Sequence, residues 1–332
     1  MTNTTPLPAQ ATIWDYLKLH FIVFIWSFTV VLGKLISIPA VELVFYRATL
    51  AGLIMGAFLL IWRRKSLFLP TKELLKLLLT GVVVAGHWIL FFAAAKVSNI
   101  SICLVGLSTA SFWTSIIEPI INKRAIKWYE ILLGISIILG LYIIFQFGIK
   151  AEYILGLVMA VLSALLAAVF STLNSRFTNR YQPQTITTYE MLGAGGGIAL
   201  FFPFYGAYLS EGGGLDLMLK DLPAFASQTW VSYLPFPTDV LFLAILIGVC
   251  TLYAYSASVE LLRRIPVFMT NLTINLEPIY GIILAILFFN EGEELNQQFF
   301  IGTAIILLSI LAYPFIRHYE KKTEALRIRK SL

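Results

Sequence analysis

The residues with the most chemistry in the least room lie between Asn271 and Glu291, in NLTINLEPIYGIILAILFFNE. This stretch sets Glu277 inside an apolar run with Pro278 directly after it. Proline supplies no backbone donor and crowds the preceding turn, so a helix must bend or loosen there, beside an ionisable group that hydrocarbon solvates poorly. If the helix starts near Ile265, Glu277 lies roughly 18 Å along it at about 1.5 Å per residue, near the middle of a ~30 Å hydrocarbon layer. A carboxylate at that depth can be protonated from one side and release its proton to the other. It can equally be held for good by backbone groups freed at Pro278, or by Asn271 and Asn275 of the same run.

Two further charges sit inside apolar runs. Arg47 cannot shed its proton, so it must face protein or water, and Glu190 has the opposite sign. Either could hold one end of a zwitterion or organic ion; the alternative is a structural ion pair of Arg47 with Glu190 or with Glu42. His87 and Trp88 fall mid-run, where an imidazole offers a hydrogen bond or a proton site near neutral pH, or simply packs. Trp26, Tyr46, Tyr189, Tyr253 and Tyr255 could supply flat amphipathic walls, although most aromatic residues here must be packing or interfacial. No metal or cofactor is expected. Cys103 and Cys250 stand apart at no redox or ligand spacing, and His20, His87 and His318 are scattered. The glycines at 192–198, with Gly52 and Gly56, suit close helix approach rather than phosphate binding.

These residues need helices to carry them. With 59% hydrophobic and 13% charged side chains in 332 residues, the chain is an all-α polytopic membrane protein, far from the roughly 25% charge of a soluble domain. Apolar runs long enough to span occur at 17–36, 40–62, 74–97, 98–121, 129–147, 153–176, 185–209, 239–262, 265–290 and 298–316, which makes ten transmembrane helices. With the N-terminus inside, 19 of the 24 Lys and Arg fall on the cytoplasmic side, as the positive-inside rule requires. The net charge of +6 is therefore topology, and nucleic acid is excluded as a partner. The tail, RHYEKKTEALRIRK, reads as a basic cytoplasmic segment against an anionic leaflet. The start lacks a basic region followed by a cleavage site, so the first run is retained. One connection is long: the external loop at 210–238 is rich in apolar and aromatic residues and suits a membrane surface.

The chain also repeats itself weakly, as 1–150 and 151–332. FTVVLGK (Phe28 to Lys34) lies against FSTLNSR (Phe170 to Arg176), Phe45-Tyr46-Arg47 against Thr188-Tyr189-Glu190, and Asn122 with Gly134 against Asn290 with Gly302. Five helices per repeat is odd, so the two repeats are inverted relative to each other, the geometry of alternating access. In this register Thr109-Ala110 lies opposite Glu277-Pro278. Glu118-Pro119 is therefore no equivalent of Glu277-Pro278, and Glu118 suits an ion pair with the nearby Lys123 and Arg124.

Ten helices in two inverted halves, NLTINLEPIYG in the ninth, HWILFFAAAKVSNISI across the third and fourth, and CTLYAYSASVELLRRIP before the ninth resemble the EamA branch of the drug/metabolite transporter superfamily. The likeness runs from about Ile13 to Phe315. It implies an inner-membrane carrier with a central cavity between its halves, moving amino acids or similar small metabolites, usually outward. Ala110 or Ser111 stands where the family's first half has a proline, which implies a straighter fourth helix. The expected partners are thus a small-molecule substrate and the lipid bilayer, with a monomer sufficient and a homodimer allowed. Proton coupling through Glu277 or His87 and uncoupled facilitation both fit. A multidrug or lipid-like substrate is the rival within this class; an intramembrane enzyme would need a nucleophile with its base or a metal cluster, and neither is present in the sequence.

Overall fold

The computed structural model describes residues 11–64, 67–145, 153–209, 237–277, 279–281, 283–284 and 297–331. Pro278, most of the external loop, the end of the ninth apolar run and the boundary between the repeats lie outside the described residues. The first half comprises α1 (Ile13–Leu35), α2 (Ala40–Ala57) continued by a π-helical turn (Phe58–Trp62), α3 (Thr71–Val97), α4 (Ile100–Leu107), α5 (Ala110–Asn122) and α6 (Trp128–Phe145). The second comprises α7 (Ile154–Phe177), α8 (Pro183–Leu209), α9 (Pro237–Ile245), a π-helical segment (Leu246–Tyr253), α10 (Ala254–Leu261), α11 (Val267–Ile274) and α12 (Gln297–Ser331).

Among the described residues, six stretches are long and apolar enough to cross a membrane: Ile13–Leu35, Ala40–Trp62, Thr71–Val97, Ile102–Asn122, Ile154–Phe177 and Thr238–Leu261; Trp128–Ile143 is a shorter apolar helix. Of the other expected spans, 185–209 lies within α8 and 298–316 within α12, while 265–290 is described only as far as Leu284. Large apolar side chains such as Leu53, Ile61, Leu132, Leu200 and Leu311 point outward, whereas Arg47, Asn174, Glu190, Asn271 and Glu277 are buried. That distribution suits hydrocarbon as solvent, where polar groups turn inward.

Ion pairs gather at one end of the bundle. Asp15 and Lys18 at the start of α1 meet Arg264 (2.8 Å) and Glu260 (2.8 Å) at the end of α10. Arg263 donates to the carbonyls of Thr178 and Tyr181, Arg176 to that of Ile121, and Lys127 pairs with Glu320 of α12. α5 ends with Lys123 in the left-handed conformation, and this turn brings Arg124 back between Glu118 (2.7 Å) and Glu130 (2.5 Å). Partial burial opposes the charge of Arg124, but the two carboxylates outweigh it and hold the guanidinium well above its ordinary range. The ion pair expected of Glu118 is thus formed, with Arg124. The opposite end has fastenings of its own. Asp239 accepts from the backbone N–H (2.9 Å) and hydroxyl (2.6 Å) of Ser37, and Lys96 donates to the carbonyls of Ile36 and Ile38.

The fourth apolar run carries no proline at its middle, yet its helical ladder is interrupted there. It breaks at Ser108 and Thr109, between α4 and α5. Ser108 Oγ donates to Val105 O and Thr109 Oγ1 to Gly106 O, while the Thr109 N–H also turns to Gly106 O. Short hydroxyl side chains offer the backbone alternatives to its i−4 bonds, and the helix loosens where two are adjacent. The ninth run breaks comparably at Asn275 and Leu276 before helical backbone resumes at Glu277. There Asn275 Nδ2 turns back to the carbonyls of Asn271 and Leu272.

Candidate substrate cavity

Within the bundle lies a cavity of about 90 Å³, room for several waters at the ~10–15 Å³ that one requires. α1 contributes Trp26 and Thr29, α2 Arg47, α3 His87, Trp88 and Phe91, α7 Phe170, Ser171 and Asn174, α10 Tyr255 and Ser258, and α11 Thr270 and Asn271, with Glu277 just beyond. A wider groove of about 690 Å³ between α3 and α7 holds Glu73, Lys76, Arg176 and Arg180 at the ion-paired end. Its charges are largely surface charges, so the smaller cavity with buried charge is the candidate.

Arg47 is placed by three elements. Its Nε donates to Thr251 Oγ1 at 2.8 Å, and Thr251 in turn donates to Leu246 O at 2.8 Å within the π-helical segment. Its guanidinium carbon stands 3.8 Å from the centroid of the Trp88 ring, a cation–π contact that holds the cation without neutralising it. Among the described residues Arg47 makes no ion pair, so neither Glu190 nor Glu42 serves as its salt-bridge partner. The same π-helical segment supplies the Cys250 carbonyl that accepts from Trp26 Nε1 at 3.2 Å. Widened helical turns leave carbonyls less fully used by their own helix, and such turns are frequent at functional sites.

Glu277 is 4% exposed, lines the cavity and has no hydrogen-bond partner among the described residues. Arg47 is close enough for its charge to act on it. Asn271 donates to Thr114 Oγ1 (2.6 Å) and Ser171 Oγ (2.9 Å), tying α11 to α5 and α7. His87 Nδ1 lies 2.9 Å from Ser163 O and 2.8 Å from Ser163 Oγ, with its ring against Phe170. The imidazole is thereby fixed to α7 while still facing the cavity.

Of the residues singled out in the sequence, Glu277, Asn271, Arg47, His87, Trp88, Trp26 and Tyr255 come together around this cavity. Five stand elsewhere. Asn275 is turned onto its own backbone, Tyr189 donates to Leu67 O, Tyr253 is half-exposed against Phe21, and Tyr46 packs beside Phe45. Glu190 lies one layer back, behind Tyr255, whose hydroxyl donates to its Oε2 at 2.9 Å. Thr29, Ser171, Asn174 and Thr270 also face the cavity and carried no special mark in the sequence. The spacing of Phe170, Ser171 and Asn174 on one face of α7 was the available signal.

The arrangement presents one fixed cation, one carboxyl group and neutral hydrogen-bonding groups on an aromatic wall. This suits binding of a small polar molecule. No curated protein matches the chain. A solved crystal structure superposes with a TM-score of 0.66 at 15% identity, over 93% of this chain and 100% of the other, which shows a shared fold. The model of the EamA-like transporter family matches residues 14–146 and again 154–313. Matched twice along its length, a membrane protein of helices around a buried polar cavity, the chain belongs to the EamA-like transporter family.

Proposed function

We propose that this protein is a secondary carrier for small zwitterionic metabolites of the amino-acid class, working by alternating access on a scaffold of two inverted repeats and serving as an exporter. The observation that carries this reading is the pair formed by Arg47 and Glu277. Both face one aromatic-lined cavity, and neither is salt-bridged to the other. A molecule with a carboxylate and an ammonium group completes both, and charge-assisted hydrogen bonds contribute about 1.5–3 kcal/mol each. The excess of Lys and Arg in one set of connections supports an inner-membrane setting with both termini cytoplasmic. The cavity is built by one chain, so a monomer suffices; a homodimer would hold two separate cavities.

The test is exchange into proteoliposomes preloaded with mixed amino acids. Amino acids should exchange well, whereas analogues lacking the carboxylate or the ammonium group should lose roughly 10–100-fold in apparent affinity, following from the same 1.5–3 kcal/mol. Arg47→Gln should remove the discrimination against amines, and Glu277→Gln that against simple carboxylic acids. Preferential exchange of bulky hydrophobic compounds would overturn the zwitterion reading in favour of a drug or lipid-like cargo.

A further inference from the structure

Glu190 on α8 is fully buried, and its surroundings satisfy only half of a carboxylate. Tyr255 OH donates to Oε2 at 2.9 Å, and Asn174 Nδ2 reaches the same oxygen at 3.3 Å and the Tyr255 hydroxyl at 3.2 Å. Among the described residues Oε1 has no donor, and neither does Asn174 Oδ1. The elements around this group bring few charges to it. α2 carries Arg47, which is held by Thr251 and Trp88 and forms no ion pair with the carboxyl group among the described residues. α3 carries Glu73 and Lys76 at the ion-paired end and His87 further along, committed to Ser163. α10 carries Glu260, paired with Lys18 and Arg264. Neighbouring Tyr189 points to Leu67 O. Among the described residues Glu190 makes no ion pair.

A buried anion with neither a cation nor a full set of donors is costly. A carboxylic acid suits the same place, because its O–H becomes a donor. Asn174 has both a donor and an acceptor end. A half-turn of its amide offers nitrogen to the anion or oxygen to the acid, so the same three side chains can serve both forms. Glu277 differs in kind, since it faces the cavity and feels the charge of Arg47.

We propose that Glu190 is the proton-binding site that couples this carrier to a proton gradient, with Tyr255 and Asn174 passing its protonation state to the cavity wall. The proposal rests on the reading of the chain as a carrier. The proton comes from cavity water, forms an O–H bond at the carboxyl group and returns to water when that bond breaks; nothing else is consumed. Asn174 and Tyr255 both line the cavity. Loading a proton therefore changes which end of an amide the cargo meets, which links the two events without direct contact between cargo and Glu190.

Two readouts test this on the full-length protein. Infrared spectroscopy of the wild type should show the carbonyl band of a protonated carboxylic acid that is lost in Glu190→Gln and kept in Glu277→Gln. Absence of such a band, or its persistence in Glu190→Gln, overturns the proposal whatever the cargo proves to be. In proteoliposomes, the ratio of amino-acid flux with a pH gradient to flux without one should exceed one in the wild type and in Tyr189→Phe, and fall to one in Glu190→Gln. A ratio of one in the wild type, or a ratio lost only in Glu277→Gln or His87→Gln, also overturns it. If no amino acid exchanges while the infrared band behaves as expected, the zwitterion reading fails and the proton site stands.

Discussion

At the scale of single residues, the cavity is held by short polar side chains that each join different helices. Asn271 shows this best: one amide group binds Thr114 of α5 and Ser171 of α7. Asn271→Ala should lower stability by about 1–3 kcal/mol, since two hydrogen bonds of roughly 0.5–1.5 kcal/mol each are lost and the two hydroxyls lose the donor they accept from. The check is thermal unfolding in detergent beside the apparent affinity for cargo; unchanged values in both would show the bonds to be idle. The ionisable members of the site were legible in the sequence, because Arg47, Glu277 and His87 have few permissible roles inside apolar runs. Ser171, Asn174 and Thr270 were not. Hydroxyls and amides sit in many apolar helices bonded to their own backbone, so only the fold separates those that face a cavity from those that do not.

At the scale of elements, the seam between α3 and α8 depends on residues too small to keep backbones apart. A Cβ at Gly81 would overlap the backbone carbonyl of Glu190, and one at Gly193 the carbonyl of Leu78. Gly81→Ala should therefore force the helices apart and cost about 1–3 kcal/mol, the usual penalty of overpacking. A lower unfolding midpoint would confirm it, whereas an unchanged midpoint would mean the seam can give. The packing role of the glycines at 192–198 could be read from composition, but their partner could not. The break in the fourth run was missed for a comparable reason. A proline announces itself, while the adjacent hydroxyls of Ser108 and Thr109 act only through the carbonyls they find.

At the scale of the whole molecule, α12 extends past the apolar layer and is fastened by Glu320, which accepts from Lys127 (2.5 Å) and Tyr129 (2.8 Å). Partial burial works against its charge, but these donors prevail and hold the Glu320 carboxyl below the ordinary range. A carboxyl lowered by folding stabilises the docked tail above its free value of about 4.3, and that contribution is lost as pH falls through the lower folded value. A spin label at Thr323→Cys should thus stay restrained at neutral pH and gain mobility below about pH 4, the free-carboxyl range. In Glu320→Gln it should be mobile throughout, and equal restraint in both proteins would mean that other contacts hold the tail. The seam described above also bears on how such a molecule can move. α3 belongs to the first matched stretch and α8 to the second, and α6 meets α12 across the same divide, with Gly140 against Gly302. Each repeat is clasped inside the other like the fingers of two hands, so the halves written in the chain are not two separately packed bodies. Under the alternating access proposed above, bodies that tilt against one another would each be composed of helices from both repeats, and a hinge would fall within a repeat rather than at the joint between them.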